Sequence, residues 1–270
     1  MGLGADLDWL NAVAGLFVGI LVGLTGVGGG SLMSPILILL FGIAPVTAVG
    51  TDLWFASITK MVGGVVHSRH GGEEGGPDWQ IIRRLCLGSI PAALIVLFIL
   101  SRTDTSQIKS GLVMVVLGAV LILTGIATLF RGWFHKIALN ARLETANSFL
   151  RYQPALTVAA GAILGTLVTL TSVGAGALGA TLLLALYPLR MRLQRLVATD
   201  IIHAVPLTLV AGLGHLWLGN VNIPLLLGLL AGSIPGIIIG SLLASRVSDK
   251  ALRPVLALVL LFVGARMMLS

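Results

Sequence analysis

TGVGGGS, from Thr25 to Ser31, interrupts a long apolar stretch, and TSVGAGA, from Thr171 to Ala177, interrupts a second one in the same manner. Glycine lets a backbone leave helical geometry. Inside a bilayer, non-helical backbone survives only where protein covers it or where it lines a cavity. A matched pair of such breaks, one in each half of a membrane chain, points to a transport site.

The composition says what kind of chain surrounds these breaks. Of 270 residues, 57% are hydrophobic and only 10% are charged, against about 25% charged in a soluble domain. Mean hydropathy is +1.05. Several windows of about 20 residues carry one charge or none, the pattern of a spanning helix. Strand alternation is absent. The expected fold class is therefore an all-α polytopic membrane protein.

The net charge of +7 does not point to nucleic acid. The basic residues stand singly or in small groups between apolar segments, as loops on the cytoplasmic side would have them. The single cysteine, Cys86, has no partner for an intrachain disulfide and no metal-ligand neighbours; a buried inert thiol is the expected role. No Lys or Arg precedes the first apolar run, where a cleaved signal carries its charged region. Asp6 and Asp8 stand there instead.

Ten apolar segments follow, five in each half. The first five cover about 9–24, 31–41, 45–66, 79–100 and 108–130. The second five cover about 154–170, 175–187, 196–218, 223–244 and 250–268. This divides the chain into a first transmembrane repeat (1–130), a cytoplasmic linker (131–153) and a second transmembrane repeat (154–270). The linker holds Arg131, Lys136, Arg142, Glu144 and Arg151, with room for a short interfacial helix.

The halves match in order. Thr25 aligns with Thr171, Thr51-Asp52 with Thr199-Asp200, and His67 with His215. Gly88-Ser89-Ile90-Pro91 recurs verbatim as Gly232-Ser233-Ile234-Pro235. The basic linker belongs inside the cell by the positive-inside rule, as do Arg190, Arg192 and Arg195. The uncharged loop 219–222 belongs outside. Counting back from there puts 67–84, with Arg69, Arg83 and Arg84, inside. The N-terminus and the C-terminus are then both outside. Arg102 and Lys109 fall outside, against the rule. Five segments per unit invert the second unit relative to the first. The expectation is two inverted-topology repeats, each opening with a broken or re-entrant glycine-rich hairpin. Parity alone does not separate two full crossings from a re-entrant loop.

The breaks are also the first candidates for chemistry. A helix restarting near Ser31 presents backbone N–H groups without intrahelical partners, at the positive end of its dipole. Such an end accepts anions. The substrate-binding candidates are Thr25, Gly28, Gly29, Gly30 and Ser31 in the first break, and Thr171, Ser172, Gly174 and Gly176 in the second. Two such ends facing each other at the midplane would hold a small oxyanion without a fixed positive charge. The alternative is that the glycines serve only close helix packing.

Ionisable residues within apolar segments are the second group. Lys60 either pairs with a transported anion or snorkels to the cytoplasmic interface. His203, near the cytoplasmic end of its helix, either couples proton movement or is a packed, hydrogen-bonded histidine. Asp52 and Asp200, near opposite faces of the membrane, either take part in coupling or anion pairing or serve a structural role, since a Thr-Asp pair would cap a helix start. His67 and His215 fall near helix ends and read as interfacial. Pro91 and Pro235 read as matched kinks or helix starts. There is no zinc-type cluster, phosphate loop or nucleophile elbow, so neither a metal nor a catalytic residue is expected.

GLTGVGGGSLMSPILILLFGIAPVTAVGTDL, from Gly23 to Leu53, resembles the sulfite exporter TauE/SafE family of membrane permeases. So do RLVATDIIHAVPLTLVAGLGHLWLGNV, from Arg195 to Val221, and GSIPGIIIGSLLASRV, from Gly232 to Val247. The resemblance implies a bacterial inner-membrane transporter for small anions such as sulfite, sulfoacetate and other organosulfur compounds, with the glycine-rich positions lining the substrate. The second repeat departs from the triple glycine of the first.

The sequence thus leads to a secondary transporter of a small sulfur-containing anion, working by alternating access, with proton coupling open. A passive anion channel on the same scaffold is the alternative, and a membrane enzyme or assembly factor the weaker one. The expected partners are a small anionic substrate and the lipid bilayer, with no nucleic acid and no cofactor; a homodimer stays open.

Overall fold

The computed structural model describes residues 3–25, 30–70, 76–102, 112–130, 132–133, 146–188, 193–243 and 249–269. Among them are ten helices of at least ten residues and no strand. They are α1 (Leu3–Thr25), α2 (Gly30–Leu39), α3 (Pro45–His70), α4 (Trp79–Arg102) and α5 (Leu112–Leu129), then α6 (Ala146–Thr171), α7 (Ala177–Leu186), α8 (Leu193–Trp217), α9 (Ile223–Leu243) and α10 (Asp249–Met268). All ten expected segments correspond to helices. The clearest difference in bounds is α6, which begins inside the 131–153 linker: Ala146–Gln153 contains no helix breaker, and Pro154 lies within the helix rather than opening it.

Among the described residues, four helical stretches are long and apolar enough to cross a membrane: Trp79–Arg102, Arg151–Thr171, Arg195–Trp217 and Ile223–Leu243. The distribution of polarity suits a lipid environment. Leu87, Leu94 and Phe98 of α4 face outward, whereas Thr51, Asp52, Lys60, Thr199, Asp200 and His203 are buried. Exposed Trp79 and Trp217 mark the start of α4 and the end of α8, where amphipathic indoles anchor helices at a membrane interface.

Helix contacts follow small residues. A Cβ on Gly15 or Gly19 of α1 would overlap the backbone of Leu229 or Ser233 on α9, and one on Gly232 or Gly236 would overlap Ala12 or Leu16. Contacting residue numbers rise together, so α1 and α9 run parallel. The same seam joins α4 and α6: Gly161 and Gly165 press on Leu85 and Ser89, and Gly88 presses on Val158. Without side chains in the way, backbones approach closely and gain the dispersion contacts that hold helices together in lipid.

The central pair, α3 and α8, runs antiparallel. Gly50, near the start of α3, packs on Asn220 and His215 beyond and at the end of α8. Trp54 Nε1 donates to Gly212 O at 2.9 Å. Helices α5 and α10 also run antiparallel, with Gly118 beside Gly264 and Met268, and Gly125 beside Ala257 and Leu261.

Between α6 and α7 the chain doubles back. Gln153 Nε2 donates to Leu186 O at 2.7 Å, and the Thr157 and Tyr187 hydroxyls are 2.7 Å apart. The end of α7 is thus level with the apolar start of α6. With 10 residues, α7 rises about 15 Å, half of a hydrocarbon core about 30 Å thick. Its first turn therefore lies near the middle of the helical bundle.

Candidate functional site

The second break sits at that mid-depth point. Ser172 has φ 58°, Gly174 φ 116° and Gly176 φ 155°. Two of these three positions carry glycine, which takes such angles without a Cβ clash. Ser172 N–H continues the helical ladder to Val168 O at 2.7 Å, and Val173 N–H is taken by Thr171 Oγ1 at 3.2 Å. Gly176 N–H and Gly179 N–H, at the start of α7, both donate back to Gly174 O, at 2.8 and 3.1 Å. The hairpin itself therefore uses two backbone donors at this helix start, among them that of Gly176, which the sequence assigns to a bound anion.

The break also has a buried lysine beside it, one of the two placements expected for Lys60. Lys60, 4% exposed in the middle of α3, donates from Nζ to Ala175 O. It does not snorkel. A buried ammonium needs acceptors, and a break in a helix supplies a carbonyl freed from the ladder.

Two carboxylates share this neighbourhood. Asp200 and Asp52 both act on the Lys60 ammonium, Asp200 the more strongly. Asp52 is fully buried; its Oδ2 accepts from Ser34 Oγ at 2.6 Å and from Ser34 N at 3.1 Å, near the start of α2. Asp200 Oδ1 occupies the space a side chain on Gly179 would need, against the first turn of α7. Neither aspartate caps a helix. Helices α3 and α8 begin at Pro45 and Leu193, so Thr51-Asp52 and Thr199-Asp200 fall two turns inside. One lysine senses both carboxylates, although the threonines beside them bond to Asn222 and Asp78 at opposite ends of the α3–α8 pair.

His203 lies mid-helix on α8, 1% exposed, with Nε2 3.0 Å from Ser89 Oγ on α4. It too lies within reach of the Lys60 charge. His215, in the last turn of α8, is 2% exposed, and its Nε2 donates to Thr169 O at 3.0 Å. Cys86 is half-buried in α4.

Of the first break, Gly28 and Gly29 lie outside the described residues. Thr25 closes α1, and Gly30 and Ser31 open α2; their side chains, with that of His67, lie outside the described ones. The structure brings together Asp52, Lys60, Ser172, Asp200 and His203. Residues not named as site candidates in the sequence join them: Ser34, Ser89 of the repeated Gly-Ser-Ile-Pro, the carbonyl of Ala175 and the bare Cα of Gly179. Among the described residues no group of three or more His, Cys, Asp and Glu is placed to hold a metal ion.

Two bonds tie the halves together at the ends of the central helices. Thr199 Oγ1 accepts from Asp78 N–H at 3.0 Å, just before α4. Thr51 Oγ1 accepts from Asn222 N–H at 3.0 Å, just before α9. Asn222 Oδ1 in turn caps Leu225 N–H at 3.1 Å, as Asp78 Oδ1 caps Gln80 and Ile81 at 3.2 and 3.3 Å.

Similarity to known proteins agrees with this architecture. The profile of a family described as Sulfite exporter TauE/SafE matches residues 11–267. Probable membrane transporter protein YjnA of Bacillus subtilis (strain 168) is 38% identical over 254 residues, 94% of this chain and 96% of that one. Probable membrane transporter protein YdhB of the same organism is 27% identical over 217 residues, 80% of this chain and 82% of that one. No solved structure matches. A membrane protein with these helices and this profile match over nearly its whole length belongs to the sulfite exporter TauE/SafE family.

Proposed function

We propose that this protein is a secondary transporter that moves a small sulfur-containing anion, such as sulfite or a sulfonate, across the bacterial inner membrane by alternating access. Its halves are inverted-topology repeats, each opening with a glycine-rich hairpin that re-enters the membrane. Both termini face outward, and the substrate rests between the hairpin tips. The tips contribute Thr25, Gly28, Gly29, Gly30 and Ser31 from one side and Thr171, Ser172, Gly174 and Gly176 from the other. Lys60 supplies the counter-charge.

The observation that carries this reading is the doubling of contacts with reversed direction. The α1–α9 seam at Gly15, Gly19 and Gly232 has its counterpart in the α4–α6 seam at Gly161, Gly165 and Gly88. The Thr51–Asn222 bond has its counterpart in Thr199–Asp78. Helices matched by sequence, α3 with α8 and α5 with α10, run antiparallel. Such an arrangement offers two equivalent packings that differ in which face is open, and that is what alternating access requires. The names of the Bacillus relatives, probable membrane transporter proteins, support transport as the activity.

The test is flux. Purified protein in liposomes is given labelled sulfite, alkylsulfonates and sulfate. The expected result is saturable uptake of one of the sulfur anions, stimulated by unlabelled anion loaded inside. Absence of flux for all of them would sink the reading. Linear flux without stimulation by internal anion would replace the carrier with a channel. Gly174→Leu, expressed and folded, is expected to abolish uptake.

A further inference from the structure

We propose that Asp52 is the proton carrier of this protein, taking up one proton for each monovalent anion that binds at the second break. This rests on the transport reading above. The argument begins with charge. Asp52 and Asp200 ionised, with Lys60 protonated, leave the buried cluster one negative charge in excess. An anion brought into it meets repulsion that a low-dielectric interior does little to screen.

The helix ends that would attract an anion are, moreover, visited by these same carboxylates. Asp52 takes the N–H and hydroxyl of Ser34 near the start of α2, and Asp200 presses on Gly179 in the first turn of α7. An incoming oxyanion competes with resident ones. Neutralising one of them removes both the excess charge and the competition.

Geometry selects Asp52 for that role. Lys60 acts on Asp200 more strongly than on Asp52, so Asp52 relies chiefly on neutral donors. Its Oδ2 is engaged by Ser34, whereas its Oδ1 is buried and makes no bond to Ser34. The Ser172 hydroxyl lies beside this carboxylate and, with Asp52 ionised, is its side-chain donor. A proton on Oδ1 reverses that contact: the new O–H then donates to Ser172 Oγ, while Oδ2 keeps its Ser34 bonds. Ser172 is the non-glycine residue with positive φ in the described chain, so the proton acts directly on the hairpin tip. It arrives from the aqueous phase on one side and leaves to the other with the anion.

The other helices packed on α3 leave few competitors. The helix of Asp52 itself carries Lys60 and, toward its end, His67, Arg69 and His70; α8 brings Arg195 in its first turn, then Asp200, His203 and His215, of which His215 is held at Thr169. Helices α2, α5 and α9 carry no charged residue within their bounds, and α6 carries Arg151 at its exposed apolar start. Helix α1 carries Asp6 and Asp8, whose side chains lie outside the described ones.

Two measurements decide the matter. In liposomes, a labelled alkylsulfonate serves as probe, because its charge does not change with pH. With one proton per anion, a gradient of one pH unit is expected to drive about tenfold accumulation in the wild type. Asp52→Asn is expected to keep exchange of internal for external anion and to lose gradient-driven accumulation. Accumulation by Asp52→Asn equal to wild type, or none by a wild type that exchanges normally, overturns the proposal. The second measurement needs no substrate. Infrared difference spectra of the purified protein between about pH 5 and about pH 8 are expected to show a protonated-carboxyl band that Asp52→Asn lacks and Asp200→Asn keeps. Its persistence in Asp52→Asn overturns the assignment. A wild type that moves no anion yet shows the band refutes the transport reading and leaves Asp52 as the proton site.

Discussion

Lys60 on α3 donates to the carbonyl oxygen of Ala175, a bond that joins the first half of the chain to the glycine-rich break of the second. The same ammonium lies within reach of Asp200 and Asp52. It is thus both a structural pin for the hairpin tip and the positive charge nearest to it.

Lys60→Met separates these roles. Removing one partner of a buried charge pair costs about 3–5 kcal/mol, because the remaining carboxylates lose their counter-ion. The variant is expected to melt well below wild type in detergent and to lose anion flux. Adding Asp200→Asn returns the cluster to the one negative charge of the wild type and is expected to recover most of the melting temperature without recovering flux. Recovery of both would make Lys60 a structural cation alone.

The seams between parallel helices give a cleaner stability prediction. A Cβ on Gly232 of α9 would overlap the backbone oxygen of Ala12, whereas one on Gly132 meets nothing within 4 Å. Backbone cannot rotate aside as a side chain can, so Gly232→Ala forces the helices apart. The expected cost is about 1–3 kcal/mol or more, read as a lower melting temperature, with Gly132→Ala unchanged. Gly88→Ala, at the matched seam against Val158, is expected to cost as much as Gly232→Ala. Unequal costs would mean that the seams are not equivalent.

Much of this fold was legible in the amino-acid order, and the reason is the bilayer. Apolar runs long enough for helices, glycine breaks and a repeated Gly-Ser-Ile-Pro left little freedom in element number or order. The site was legible only in part. Lys60 and His203 stood out because ionisable groups in apolar runs are rare, yet nothing local told whether Lys60 turned outward or inward; its acceptor, Ala175 O, is more than a hundred residues away. Asp52 and Asp200 read as caps because Thr-Asp suits that role, but Pro45 opens α3 and Leu193 opens α8 two turns before them. Ser34 and Gly179 gave no signal at all, since a serine or glycine in an apolar helix usually serves packing.

The Thr51–Asn222 and Thr199–Asp78 bonds supply the last prediction, which concerns direction. Both are 3.0 Å long, and they join the halves at opposite ends of the antiparallel pair α3 and α8. In an alternating-access cycle each would open in turn. Replacing one threonine by valine removes an acceptor while keeping the shape of the side chain. A hydrogen bond of this kind contributes about 0.5–1.5 kcal/mol, a two- to tenfold shift in a two-state balance. Thr199→Val is expected to favour the state open on the Asp78 side, and Thr51→Val the state open on the Asn222 side. Single cysteines placed at Gln80 and Asn220, in a background with Cys86→Ala, report the two faces through labelling by a membrane-impermeant thiol reagent. Each valine is expected to raise labelling at its own face and to lower it at the other. The pair of valines together is expected to restore the wild-type ratio, because the balance depends on the difference between the two bonds. Labelling that rises at both faces in either single variant would mean loosening without alternation, and the two bonds would then be struts rather than gates.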